Sequence, residues 1–152
     1  MADVVEVFRS PHVLEYPYVR STGPIVGGYL SGLRDGKILG ATGAAGRVIV
    51  PPTEYDPDTA EELSELVEVG PGGVVTTWAW VSDPREDAPL SEPFAWALVQ
   101  PDGADTGILT PVAASGPDAM ASGMRVTASF LPSAERQGRV QDLRCFVPEE
   151  AS

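Results

Sequence analysis

The sequence predicts a mainly β chain, with one short helix ahead of its strands, and three observations carry that expectation. The 16 Gly and 15 Pro make up about a fifth of the 152 residues, which disfavours a helical bundle and suits short strands joined by tight turns. Val74 to Val81 (VVTTWAWV) is rich in β-branched and aromatic residues and reads as the clearest strand. After it, Phe94 to Val99, Thr106 to Pro111, Met124 to Leu131 and Arg139 to Val147 follow at the spacing of a five-stranded Greek-key barrel.

Taken in order, residues 1–21 are irregular, interrupted by Pro11 and Pro17, with Phe8, Tyr16 and Tyr18 as large aromatic groups. Such an arm either clamps its own domain or offers its aromatics to a partner. From Pro24 the pattern turns helical, with Val26, Tyr29, Leu30 and Leu33 at helix spacing and Gly36 as the C-terminal stop. Gly27 and Gly28 each weaken that helix by about 1 kcal/mol relative to Ala, so it depends on packing or permits a close backbone approach. Lys37 to Thr59 then has the outline of a small zinc ribbon: Gly40 and Gly43 before a turn, Gly46 to Val50 as a short strand, and Pro51-Pro52. The four knuckle positions hold Thr42, Ala45, Asp56 and Thr59, which supply no thiolate, so no bound zinc is expected. Val48, Ile49 and Val50 are expected to hold the ribbon by packing onto the barrel or a partner.

Thr59 to Glu62 has the form of a helix capping box, but Leu63 to Val69 alternates and runs into Gly70-Pro71-Gly72-Gly73, which favours a strand and a hairpin. Strict alternation puts Val74, Thr76, Trp78 and Trp80 on one face of the next strand. Pro101-Asp102-Gly103 is a turn, and Gly116 to Met120 begins a short helical connection. The chain thus divides into an arm and amphipathic helix (1–38), a degenerate ribbon (39–62) and a barrel segment (63–152).

The net charge of −12 argues against tracking a nucleic-acid backbone, which needs a basic groove. Between Val48 and Pro84 there is no Lys or Arg, while Glu54, Asp56, Asp58, Glu61, Glu62, Glu65, Glu68 and Asp83 lie there. That run is either a solvated acidic face or a docking surface for a basic patch. A single cysteine, Cys145, excludes an intramolecular disulfide and is expected to be buried. No apolar stretch reaches the roughly 18 residues needed to span a bilayer, and the N-terminus lacks the pattern of a signal peptide, so a cytoplasmic protein without a membrane partner is expected.

No catalytic constellation is legible. His12 is the single histidine and has no nucleophile to serve. There is no phosphate-binding Gly-x-x-x-x-Gly-Lys loop, and Gly40, Gly43 and Gly46 lack the context of a dinucleotide fingerprint. Glu61/Glu62 and Glu149/Glu150 lie in polar runs and read as surface charges. Trp78, Trp80, Phe94 and Trp96 are either barrel core or, where one faces outward, the wall of an interface or ligand site.

With Tyr29 to Lys37 ahead of it, the run Gly46-Arg47, Pro51-Pro52 and barrel resembles the zinc-ribbon/OB-fold proteins associated with acyl-CoA thiolases and aldolases, a domain of unknown function numbered thirty-five, over about Tyr16 to Pro148. The resemblance implies a rubredoxin-like ribbon, here without metal, and a C-terminal OB-fold barrel. It also implies a non-catalytic accessory subunit that binds and stabilises a thiolase-superfamily enzyme, thiolase or retro-aldolase, acting on acyl-CoA thioesters such as steroid side-chain CoA esters. No cofactor is expected, although a CoA thioester is a candidate ligand, and the assembly would be a hetero-oligomer. Tyr16, Tyr18, Tyr29, Leu30 and Leu33 are the expected partner anchors. Arg34, Lys37, Arg47, Trp78 and Trp80 are candidate acyl-CoA contacts, and Arg125, Arg136, Arg139 and Arg144 are the further cations near the C-terminal strands. The alternative is a free-standing acyl-CoA or lipid-binding carrier, which would be a well-behaved monomer, whereas an obligate subunit exposes an apolar patch.

Overall fold

The structure, a computed structural model, describes residues 8–149, so expectations that rest on Met1 to Val7 or on Glu150 lie outside the described residues. Helix α1 spans Pro24–Arg34, and the strands are β1 (Ile38–Thr42), β2 (Val48–Ile49), β3 (Leu66–Val69), β4 (Gly72–Val81), β5 (Phe94–Pro101), β6 (Ile108–Val112), β7 (Arg125–Phe130) and β8 (Leu143–Pro148). Strands β2-β1-β3 form a small sheet, and β4-β5-β6-β8-β7 close a barrel. The fold is the mainly β arrangement of helix, ribbon and five-stranded OB barrel that the sequence predicts.

Helix α1 starts at Pro24, whose missing N–H is no loss in a first turn. The Glu54 carboxylate, reaching over from the ribbon, accepts hydrogen bonds from the Ile25 and Val26 amides at 3.3 and 2.8 Å. Ile25, Tyr29 and Leu33 form one buried stripe at four-residue spacing. Gly28 lets the Leu66 side chain lie where a Cβ would otherwise stand, the close approach its lack of a side chain allows. Gly36, at φ +78°, ends the helix as expected.

Two local expectations change, and the capping-box alternative is settled. Leu66–Val69 does not form a hairpin with β4; it pairs antiparallel with β1, from Ile38↔Val69 to Ala41↔Leu66. The segment 63–152 therefore begins in the ribbon's sheet, because β1 needs a partner on its second edge and β3 brings Val69 into the core. Thr59 to Glu62 is not helical; the chain turns through Ala60 at φ 59°, and Tyr55 and Glu62 form an isolated bridge. In β4 the register to β5 shifts between Val75 and Thr77, a bulge that reverses the alternation. Val75 is buried while Thr76 is exposed, so Thr76 does not share a face with the half-buried Trp78 and Trp80, which pack on the core.

One core runs through all the segments. Leu33 of α1, Ile38 of β1, and Val50 and Val69 pack with Val75, Val99, Val112, Val126 and Phe146 of the barrel. Ile49 joins a smaller cluster with Ile25, Ala41 and Leu63. The edge of the ribbon is also pinned by hydrogen bonds. The Val50 amide donates to Thr106 Oγ1 at 2.6 Å, that hydroxyl donates to the Val50 carbonyl at 2.8 Å, and the Val48 amide donates to Asp105 at 2.8 Å. Cys145 is buried as expected, and burial pushes its thiol pKa up.

Candidate functional site

The ribbon is held at the metal positions by a carboxylate. Asp56, 4% exposed, accepts from the Ala44 amide at 2.7 Å through Oδ2, and from the Asp58 and Thr59 amides at 2.8 and 3.2 Å through Oδ1. Ala44 belongs to the first knuckle turn and Asp58 and Thr59 to the second, so one side chain spans the two turns that zinc spans in a metal ribbon. An Arg47–Asp58 ion pair at 2.6 Å links the same turns. Gly43 makes room for this, since a Cβ there would collide with the Asp56 carboxylate. The Ala44 and Asp58 amides hold the Asp56 pKa below the usual carboxylate range, against the opposing effect of burial. Thr42, Ala45 and Thr59 with an already engaged Asp56 do not fit a zinc ion, and among the described residues no three His, Cys, Asp or Glu are grouped to hold a metal.

The anchors expected on the arm and helix separate into two groups. Tyr16 and Tyr18 stand 74% and 79% exposed on the arm, so the described part of the arm does not clamp its own domain. Tyr29 and Leu33, by contrast, are buried in the chain's own core and Leu30 is half-buried. The helix must bury one stripe to be stable, and that stripe contains the two residues expected to face outward. The candidate acyl-CoA contacts do not converge either. Arg34 pairs with Asp35 at 3.5 Å, Lys37 with Glu68 at 2.8 Å and Arg47 with Asp58, each neutralised by a nearby acid, while Trp78 and Trp80 lie on β4.

What the structure assembles instead is a groove at the seam of the barrel. Strands β6 and β8 run parallel and pair at Val112↔Phe146, with no further paired position between their N-terminal halves. The wedge between them, about 360 Å³, is lined by Tyr29, Trp96, Leu109, Leu131, Val140 and Arg144 among others. Leu109 is 68% exposed, Val140 61% and Trp96 36%, so the apolar surface extends out over the rim. Trp96 is thus the outward-facing tryptophan, set edge-on to Phe94 with ring centroids 5.5 Å apart. At the floor, Tyr29 is buried, and burial raises the pKa of its hydroxyl.

The rim opposite β6 is a rigid turn, Val140–Asp142. The Asp142 carboxylate accepts from the Gln137, Gly138 and Arg139 amides, at 3.0, 2.6 and 3.1 Å to Oδ2. Burial alone would raise its pKa, but these amides outweigh it and hold the carboxyl below the usual range. The sequence named Trp96, Arg139 and Arg144 but did not single out Leu109 or Val140. A signal was present: β6 reads Ile108-Leu109-Thr110-Pro111-Val112, apolar on both faces, as in a strand covered on its outer side.

Comparison with known proteins supports the fold. Residues 66–131 match the family model described as ChsH2, C-terminal OB-fold domain. A chain of the Ltp2-ChsH2(DUF35) aldolase is similar in structure, with a TM-score of 0.61 and 18% identity, covering 86% of this chain and 98% of that one. A protein of unknown function from the DUF35 family of Sulfolobus solfataricus is also similar, with a TM-score of 0.57 and 22% identity, covering 70% of this chain and 78% of that one. No curated protein sequence matches. The resemblance to that zinc-ribbon/OB-fold family, read from the sequence, is supported by all three likenesses.

Proposed function

We propose, from the premise that residues 66–131 form an OB-fold domain of the ChsH2 C-terminal kind, that the chain is a non-catalytic accessory subunit of a hetero-oligomeric thiolase-superfamily enzyme, a thiolase or retro-aldolase acting on acyl-CoA thioesters. The observation that carries this reading is the contiguous apolar rim of Trp96, Leu109 and Val140, left open to water. A small monomer gains nothing from such a surface, whereas a subunit covers it on assembly. The exposed Tyr16 and Tyr18 on the arm add aromatic surface of the same kind. Likeness to a chain of an aldolase named for two components points in the same direction. Steroid side-chain CoA esters are the finer substrate expectation within this reading.

The test is co-expression with thiolase-superfamily proteins of the same genome, followed by size-exclusion chromatography and an acyl-CoA cleavage assay with and without this chain. The expected result is co-elution and cleavage that depends on this chain. A stable monomer that binds acyl-CoA without any partner would instead favour the free-standing carrier.

A further inference from the structure

We infer that the groove between β6 and the Val140–Asp142 turn is the surface on which the partner docks, and that the partner presents there an apolar side chain flanked by carboxylates. This rests on the accessory-subunit reading and adds to it where the contact lies and what chemistry it demands. The first argument is shape. Leu109 and Val140 line the wedge yet stand 68% and 61% exposed, so a small molecule within it would cover only their inward sides, whereas a protein surface would cover floor and rim together.

The second argument is charge. The chain carries a net −12, yet this rim is locally basic, with exposed Arg139 and Arg144 on either side of the turn. Arg34, Lys37, Arg47 and Arg125 are each neutralised by an acid of the same chain. Among the described residues Arg139 and Arg144 form no such pair, and the carboxylate between them, Asp142, is fully engaged by backbone amides. Arg144 lines the groove and Arg139 directly precedes the Val140–Asp142 turn, and unpaired guanidinium groups at such a rim call for carboxylates on the opposing surface. A second copy of this chain fits poorly, since a two-fold contact through this patch would set guanidinium groups against each other.

The experiment measures affinity in the co-expressed complex for Leu109→Asp, Arg144→Glu and the pair Arg139→Glu with Arg144→Glu, with circular dichroism and melting to verify the fold. Leu109→Asp should weaken binding at least tenfold and Arg144→Glu about tenfold. The wild-type complex should weaken as salt rises, and the doubly reversed variant should lose that dependence. Folded variants that bind with unchanged affinity would overturn the assignment of this surface while leaving the subunit reading intact. If no thiolase-superfamily protein co-elutes with the wild type, the subunit reading falls and this inference with it. Self-association abolished by Leu109→Asp would make a second copy the occupant, and decanoate binding in the groove without effect on the complex would make it a small-ligand site; either result overturns the proposal.

Discussion

Replacing Thr106 by Val should release the ribbon's edge from the barrel. The Thr106 hydroxyl both accepts from the Val50 amide at 2.6 Å and donates to the Val50 carbonyl at 2.8 Å. Each bond contributes about 1 kcal/mol net, and a buried amide left without a partner costs about 1–3 kcal/mol more. Val50 is 1% exposed, so water has little room to replace the lost hydroxyl. The expected destabilisation is therefore about 2–4 kcal/mol, or roughly 5–12 °C in Tm for a chain of this size. Guanidinium denaturation gives the global loss, and hydrogen exchange at the Val50 amide gives the local one. Thr106→Ser, which keeps the hydroxyl, should lose less than about 1 kcal/mol. A Thr106→Val protein that loses under about 0.5 kcal/mol and keeps its Val50 amide protected would refute the clamp.

Three further outcomes follow from the ribbon. Ala60→Gly should stabilise the chain by about 0.5–1 kcal/mol, read by chemical denaturation, because Ala60 occupies a left-handed conformation at φ 59° that glycine adopts without strain. Asp56 has a folded pKa below its unfolded value, so its contribution is fully present above the unfolded carboxylate pKa and fades as pH falls through the folded one. An acid titration should therefore show the amides of Ala44 and Asp58 losing protection below about pH 4, and Asp56→Asn should flatten that limb. Installing thiolates at the four knuckle positions (Thr42→Cys, Ala45→Cys, Asp56→Cys, Thr59→Cys) should create a site that takes up one zinc per chain by metal analysis, with a Tm that rises in zinc and falls with chelator.

The barrel was legible because its strands announce themselves locally, through β-branched and aromatic runs bounded by turn residues such as Asp102-Gly103. The partner of β3 was not, since whether Leu66–Val69 joins β1 or β4 depends on which sheet has an open edge. The bulge in β4 left a trace in the sequence, where the inward residues switch from Val75 to Trp78 and Trp80, but strict alternation reads across it. Glu54 and Asp56 stood in the acidic run and Asp142 was not singled out; their amide partners come from turns that exist only once the chain is folded. Asp56-Pro57-Asp58-Thr59 does carry a local hint, the turn pattern in which an Asp side chain caps amides two and three residues on. Tyr29 and Leu33 lie in the chain's own core because a helix of eleven residues needs a buried face to be stable.

The pairing of β6 with β8 at Val112↔Phe146, backed by the Ala113 amide on the Phe146 carbonyl at 2.9 Å, also has a mechanical side. β5, by contrast, is laddered along most of its length to β4 and β6. A ring fastened firmly around most of its circumference and by a short clasp at one point yields at the clasp first. The seam, with one paired position against three between β4 and β7, is thus the barrel's shortest join, and it stands directly beside the groove lined by Leu109 and Val140.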